Sequence, residues 1–161
     1  MANYHFGMVG LGVMGANLAR NLVSHNFSVA GYDLDEGKRQ AFESYQNEGD
    51  LAAFPDIEKF LNSLESPRRI ILLVPSSVVD SAIASMKPYL DKGDLLIDLG
   101  NSFFGDTEGR SVALASEGLL FIGSGVSGGE KGALRGPAIM PGGQPEAYEL
   151  IRPAFEAIAA K

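Results

Sequence analysis

Six residues, Gly10-Leu11-Gly12-Val13-Met14-Gly15, restrict what this chain can fold into more than any other stretch. An apolar run from Phe6 to Val9 leads in and an amphipathic run starting near Val13 leads out, so the three glycines fall where a strand turns into a helix. In a strand, G-x-G-x-x-G, helix unit the first glycine makes the tight turn, the second lets backbone approach a pyrophosphate, and the third closes the gap between helix and strand. The unpaired N–H groups and partial positive charge at the helix start then stabilise an anion without a basic side chain, and the loop contains none. Gly10, Leu11, Gly12, Val13, Met14 and Gly15 are therefore candidate cofactor-binding residues.

Asp33 ends a second apolar run, Phe27 to Tyr32. It lies roughly twenty residues beyond the glycines, where a carboxylate receives the ribose hydroxyls of a dinucleotide. Leu34 and Asp35 follow it, so a 2′-phosphate would meet like charge and no guanidinium. Two unit charges about 4 Å apart repel by roughly 4 kcal/mol at an effective dielectric near 20. Asp33, Leu34 and Asp35 thus predict NAD as cofactor in preference to NADP. Lys38 and Arg39, early in the next helix, are the counterweight that keeps NADP open; their other reading is as solvated helix charges.

Strand-like and helix-like runs alternate along the rest of the chain. A helix runs from Asp35 or Glu36 through Tyr45, Leu51 to Phe54 is ambiguous, and a short helix starts at Pro55-Asp56. Arg68 to Val74 reads as a central strand, and Pro75-Ser76-Ser77 stops it and caps a helix over Val78 to Met86. Leu95 to Leu99 is a further buried strand, followed by a helix from about Asp106 to Glu117 and a strand from Leu119 to Ile122. A glycine-rich segment then reaches Gly143, and Pro145 to Ala160 closes as one helix. This alternation predicts a Rossmann-like, doubly wound α/β fold, a mostly parallel sheet with helices on both faces, spanning residues 1–161 as one domain. The stop after Ala159-Ala160-Lys161, without a glycine cap or polar tail, reads as a domain edge, and an exposed apolar patch is expected on the last helix.

A formal charge of −7, with no Lys/Arg cluster longer than a pair, argues against nucleic acid as a partner. No apolar run approaches the length of a membrane span and no signal-peptide pattern precedes the first strand, so a cytoplasmic protein without membrane contact is expected. The absence of cysteine removes disulfides, thiolate nucleophiles and cysteine zinc sites. His5 and His25 flank the first strand and helix and read as structural.

Loops at the carboxyl ends of parallel strands share one edge, where ligands bind. Five such loops carry suggestive residues: the glycine loop, Asp33-Leu34-Asp35, Val74-Pro75-Ser76-Ser77, Gly100-Asn101-Ser102, and Ser124 to Gly129. Of 20 glycines, 12 fall between Gly100 and Gly143, which points to a second site or to a flexible linker. Ser127, Gly128 and Gly129 have the makings of a concave anion site for a substrate carboxylate. The Asn101 amide both donates and accepts and suits a bridge between a nicotinamide ribose and a substrate hydroxyl, or else an Asx turn. Hydride transfer from an alcohol needs a base, and neither histidine is at this edge. Lys131 stands in a glycine-rich context without an evident partner, so the base is expected outside these residues.

Gly10 to Gly15, Pro67 to Val74, Gly100-Asn101-Ser102, Gly123 to Glu130 and Gly136-Pro137-Ala138-Ile139-Met140-Pro141-Gly142-Gly143 together resemble the N-terminal domain of decarboxylating 6-phosphogluconate dehydrogenases, within the β-hydroxyacid dehydrogenase superfamily. The resemblance spans essentially the whole chain in order. It implies oxidation of 6-phosphogluconate at C3 by a nicotinamide cofactor, loss of CO2 and protonation to ribulose 5-phosphate, without metal. Carried onto matching positions, it assigns Val74, Pro75 and Ser76 to the cofactor, Asn101 to both ligands, and Ser127, Gly128 and Gly129 to substrate. The family's catalytic lysine and glutamate come from a following all-helical domain, which also carries most contacts of a homodimer, so the resemblance implies no catalytic residue in this chain and no activity of it alone. NADP-using members carry Asn-Arg-Ser or Asn-Arg-Thr where this chain has Asp33-Leu34-Asp35, in line with the charge argument. A hydroxyisobutyrate-type dehydrogenase and a non-catalytic NAD-sensing module are the alternatives.

Overall fold

The computed structural model describes residues 3–161. In chain order the elements are β1 (Phe6–Val9), α1 (Val13–Ser24), β2 (Val29–Tyr32), α2 (Glu36–Glu43), β3 (Leu51–Phe54), α3 (Ile57–Asn62), β4 (Arg69–Leu72) and α4 (Val79–Met86). There follow β5 (Leu95–Asp98), α5 (Phe104–Ser116), β6 (Leu120–Ser127), α6 (Gly129–Arg135), β7 (Ala138–Gly143), α7 (Pro145–Glu149) and α8 (Arg152–Ile158). The strands form one sheet in the order β3-β2-β1-β4-β5-β6-β7. All pairs are parallel except β6 with β7.

The apolar runs of β1, β4 and β5, polar only at Arg69 and Asp98, follow from burial on both faces of a parallel sheet. Phe6, Met8, Ile71, Leu95 and Ile97 pack beneath α1, α7 and α8 with Leu18, Leu22, Phe155 and Ile158. Their neighbours Val9, Ile70, Leu72 and Leu96 point the other way, onto Phe60, Ile83, Met86 and Leu114 of α3, α4 and α5. Each such side chain, fully buried, contributes roughly 1.5–3 kcal/mol. Leu51 to Phe54, ambiguous in sequence, is the edge strand β3, paired in parallel with β2.

The expected doubly wound fold is present, with four local corrections. The glycine-rich segment is not a linker: β6 continues to Ser127, α6 follows, and β7 returns antiparallel, pairing Ser127 with Ala138 and Ile122 with Gly143. Pro145 to Ala160 is two helices, because Pro153 has no N–H to continue the ladder of α7 and is tolerated only in the first turn of α8. Ser76 and Ser77 do not cap α4: Val78 N–H bonds the Pro75 carbonyl at 2.8 Å, closing a 3₁₀ turn over Ser76–Val78, and α4 starts after Val78 without a side-chain cap. The last helix also carries no exposed apolar patch, since Ala154, Phe155 and Ile158 are buried in the α1 side of the core. The large apolar residues left in solvent include Phe103, Phe104, Val112 and Met140.

His5 Nδ1 accepts the Ser28 N–H at 2.9 Å and His25 Nδ1 bonds the Asn21 carbonyl at 2.9 Å, so both histidines serve the fold. At the opposite edge of the sheet from the loops above, Arg68 Nη1 donates to Asp94 Oδ2 at 2.8 Å and to Asp91 Oδ2 at 2.9 Å. Asp94 Oδ1 also accepts the Arg68 N–H at 2.7 Å, and Asp94 is only 1% exposed. Removing one partner of a buried ion pair strands the other charge. Asp94→Ala is therefore expected to cost about 3 kcal/mol in urea denaturation. Asp91→Ala, at a far more exposed carboxylate, should cost less than about 1 kcal/mol; equal losses would refute this assignment.

Candidate functional site

The strand order reverses between β1 and β4, and the loops after these two strands press together. Gly10 has φ +96°, and a Cβ there would stand 2.2 Å from the Leu73 carbonyl oxygen. A Cβ on Gly15 would stand 2.0 Å from the Gly10 carbonyl oxygen, so α1 sits as close to the β1 turn as backbone allows. Gly12 differs. Its φ of −67° suits any residue, and a Cβ there would meet nothing within 4 Å. The fold demands glycine at 10 and 15, whereas the open space over Gly12, at the uncapped start of α1, is what a diphosphate requires. Leu11 is buried and Val13 exposed, so in this loop the backbone, more than the side chains, defines the cradle.

Asp33 is fixed by two backbone donors: Oδ2 accepts the Leu11 N–H and Oδ1 the Asp35 N–H, each at 2.9 Å. The acid at the end of β2 thereby ties down the glycine loop. Asp35 caps α2, its Oδ1 accepting the Lys38 N–H at 3.0 Å. Arg39 Nη1 donates to the Asp33 and Leu34 carbonyls at 2.7 and 2.9 Å, which commits that nitrogen to the main chain. Lys38 instead lines a cleft of about 630 Å³ together with Gly10, Gly12, Asp33, Leu34, Val74 and Pro75. α4 supplies the cleft's far wall through Ser81, Ala82, Ser85 and Met86. Burial first, then the charges of Asp56 and Asp33, raise the pKa of Tyr32, which lines the same cleft from the end of β2, despite the opposing pull of Arg39, so it stays a neutral phenol.

A second cleft, of about 540 Å³, opens between α5 and the β6–β7 pair and is lined by Asp98, Asn101, Ser102, Thr107, Ser124 and Gly125 among others. Asn101 has φ +55°, its Oδ1 accepts the Val126 N–H at 3.1 Å and its Nδ2 donates to the Val126 carbonyl at 3.5 Å, so its amide is latched onto β6 instead of closing an Asx turn. Ser127, Gly128 and Gly129 form the exposed β6–α6 turn, with φ of +134° and +61° at the two glycines. They line neither cleft. Ser76 is likewise exposed beside the first cleft, while Val74 and Pro75 lie on its wall.

The geometry gathers the glycine loop, Asp33, Leu34, Val74 and Pro75 at one place, with Met14, Gly15 and Asp35 serving the elements that frame it. It sets Asn101 at the second cleft and Ser127 to Gly129 beyond it. Sequence reasoning missed the α4 wall and Asp98. The signal for Asp98 was present: a lone acid inside the apolar run Leu95-Leu96-Ile97-Asp98-Leu99.

A parallel sheet whose β1–α1 glycine turn opens at the switch point, with an acid after β2, defines the class of Rossmann-type dinucleotide-binding domains. The profile of the family described as the NAD binding domain of 6-phosphogluconate dehydrogenase matches residues 5–161. The chain belongs to that family. It is 51% identical over 162 residues to a decarboxylating 6-phosphogluconate dehydrogenase of Lactococcus lactis subsp. lactis, covering 100% of this chain and 34% of that relative. It is 48% identical to an NADP(+)-dependent decarboxylating 6-phosphogluconate dehydrogenase of Bacillus subtilis, with 100% of this chain and 34% of the relative covered. The fold superposes with TM-score 0.92 and 31% identity on Plasmodium falciparum 6-phosphogluconate dehydrogenase, over 97% of this chain and 34% of that one. That enzyme is described in its apo form and in complexes with its cofactor NADP+ and its substrate 6-phosphogluconate. The chain thus spans about a third of the length of these relatives.

Because only Gly15 is required by the fold on the helix side, Gly12→Ala is expected to cost less than about 1 kcal/mol of stability. Gly15→Ala should cost more than about 2 kcal/mol, from overpacking against the Gly10 carbonyl. Thermal melts of the two variants check this; a Gly12→Ala protein as unstable as Gly15→Ala would mean that the space over Gly12 is needed by the protein itself.

Proposed function

We propose that this chain is the cofactor-binding part of a decarboxylating 6-phosphogluconate dehydrogenase, and that it holds NAD in preference to NADP. The observation that carries the reading is the open backbone cradle over Gly12 at the start of α1, flanked by the fixed carboxylate of Asp33. In this reading the backbone from Leu11 to Gly15 and the N-terminus of α1 offset the diphosphate charge. Each Asp33 oxygen keeps a lone pair for the adenosine ribose hydroxyls beyond the N–H it already accepts. Leu34, Val74, Pro75 and Ser76 flank the adenosine and the chain leading to the nicotinamide. A bound nicotinamide supplies the hydride acceptor; Asn101 orients its ribose and the substrate, and Ser127, Gly128 and Gly129 hold 6-phosphogluconate. The acid–base steps fall to residues outside 1–161, since both histidines are committed to the fold. An additional all-helical domain, a homodimer and a cytoplasmic setting complete the proposal.

Support for the whole activity comes from relatives near half identity that carry the 6-phosphogluconate dehydrogenase name, which favours this substrate over a hydroxyisobutyrate and over a purely sensory role. Support for NAD comes from charge: Asp33 and Asp35 at the end of β2 would repel a 2′-phosphate brought to them, and one Arg39 nitrogen is spent on two carbonyls. NADP is the second reading. Lys38 on the cleft wall favours it, as do the Bacillus subtilis and Plasmodium falciparum relatives whose descriptions name NADP.

Calorimetric titration of the chain with NAD+ and NADP+ decides between the two. NAD+ is expected to bind at least about tenfold more tightly, a difference of about 1.4 kcal/mol. The Asp33→Asn/Leu34→Arg variant should reverse that order. Tighter NADP+ binding by the unmodified chain would assign Lys38 to the phosphate and overturn the NAD preference.

A further inference from the structure

Asp98 closes β5 with a carboxylate that is 2% exposed, in a strand whose other residues are apolar. Burying a carboxylate is costly unless each oxygen is engaged. Here Oδ1 accepts the Gly100 N–H at 2.8 Å and Oδ2 accepts the Ser102 hydroxyl at 2.5 Å. These two bonds bracket Asn101 from either side. Between them Asn101 adopts φ +55°, a left-handed conformation that asparagine tolerates better than other non-glycine residues and that the flanking bonds select. The turn cannot slide: a Cβ on Gly100 would stand 2.8 Å from the Val74 carbonyl oxygen, so its backbone abuts the loop after β4.

Arg110 of α5 supplies the countercharge. Its Nε and Nη2 fork onto Asp80 of α4 at 2.7 and 3.2 Å, leaving Nη1 buried, without a hydrogen-bond partner, 3.7 Å from Asp98 Oδ2. One helix, through Arg110, and one turn, through Gly100 and Ser102, thus converge on one carboxylate. Nothing in the packing of a strand end requires an acid at this place; an apolar residue there would fill the space but would remove the bonds to Gly100 and Ser102 and leave the turn held by the Asn101–Val126 contact alone.

We propose that Asp98 is a positioning residue, whose buried carboxylate locks the Gly100-Asn101-Ser102 turn so that the Asn101 amide is presented at the nicotinamide end of a bound dinucleotide. The proposal rests on the cofactor reading above. It assigns Asp98 and Ser102 no contact with ligand; they act through Asn101. It therefore separates two ends of the ligand: loss of the lock weakens binding of the nicotinamide half and spares the adenosine half, which Asp33 and the α4 wall contact some loops away.

The test titrates the unmodified chain, Ser102→Ala, Ser102→Thr and Asn101→Gly with NAD+, NADP+ and ADP, the last lacking the nicotinamide riboside. Glycine is chosen at 101 because it accepts the same backbone conformation. Ser102→Ala and Asn101→Gly are each expected to weaken the preferred dinucleotide roughly fivefold, the worth of one hydrogen bond, with ADP affinity unchanged. Ser102→Thr, which keeps the hydroxyl, should restore binding, and the Ser102→Ala/Asn101→Gly double variant should be no weaker than Asn101→Gly alone. Equal losses for dinucleotide and ADP in Ser102→Ala, or unchanged dinucleotide binding in Ser102→Ala while Asn101→Gly weakens it, would overturn the proposal. Absence of binding to all three ligands by the unmodified chain would sink the cofactor reading. The positional claim would then be decided by the one-bond Cα–Hα coupling of Asn101, which reports the sign of φ. Loss of the positive-φ value in Ser102→Ala is expected, and its retention would overturn the lock.

Discussion

The contact on which the rest of this structure depends is the approach of Gly15 to the Gly10 carbonyl. It fixes α1 against the end of β1 at a distance no side chain would permit. From that position α1 serves as the hub of one whole layer. Leu18 and Leu22 enter the core, and buried Asn21 donates to the Ala133 and Ile158 carbonyls, each at 3.1 Å, joining α6 and α8 to the helix. Asn17 adds a bond to the Glu130 carbonyl at 3.2 Å. The same closeness aims the free N–H groups of the first turn at the switch point of the sheet. Stability and the candidate ligand site thus share one helix, and the sheet need only bring further loops to its end.

Carboxylates divide the labour between the two edges of the sheet. At the edge away from the clefts, Asp94 and Arg68 form a buried ion pair that staples β4 to the turn before β5. At the cleft edge, Asp33 and Asp98 use one shared device. Each stands at the end of a strand, each accepts the N–H two residues on, and each spends its second oxygen on a more distant group, Leu11 N–H for Asp33 and the Ser102 hydroxyl for Asp98. Bonds of this kind hold loops that would otherwise lose conformational freedom only on meeting a ligand. Preorganisation of this edge is built from acids.

Much of this was legible in the chain. The glycine loop, the apolar strands and the acid after β2 each have a local pattern with a single physical reading, and the doubly wound sheet follows from their alternation. The segment from Gly123 to Gly143 stayed open between a second site and a flexible linker because glycine content alone fits both, whereas here the glycines admit the close antiparallel pairing of β6 with β7; a Cβ on Gly143 would lie 2.7 Å from the Phe121 carbonyl oxygen. The break between α7 and α8 was written in Pro153 and passed over because the apolar spacing continues across it. The second Asp33 bond, to Leu11 across 22 residues, could not be read at all, since nothing local distinguishes a carboxylate facing a ligand from one facing a neighbouring loop. Exposed Phe103 and Phe104, in place of a patch on α8, likewise depend on which helix faces the core.

The central claim is that the backbone of residues 11–15, at the start of α1, receives a dinucleotide diphosphate. The most direct measurement is a ¹⁵N-edited NMR titration of the chain with NAD+, following every backbone amide. The account predicts that the largest shifts fall on Gly12, Val13, Met14 and Gly15, with smaller ones at Asp33 and Asn101. Shifts confined to α5 and the β6–β7 pair, with the amides of residues 12–15 unmoved, would contradict it.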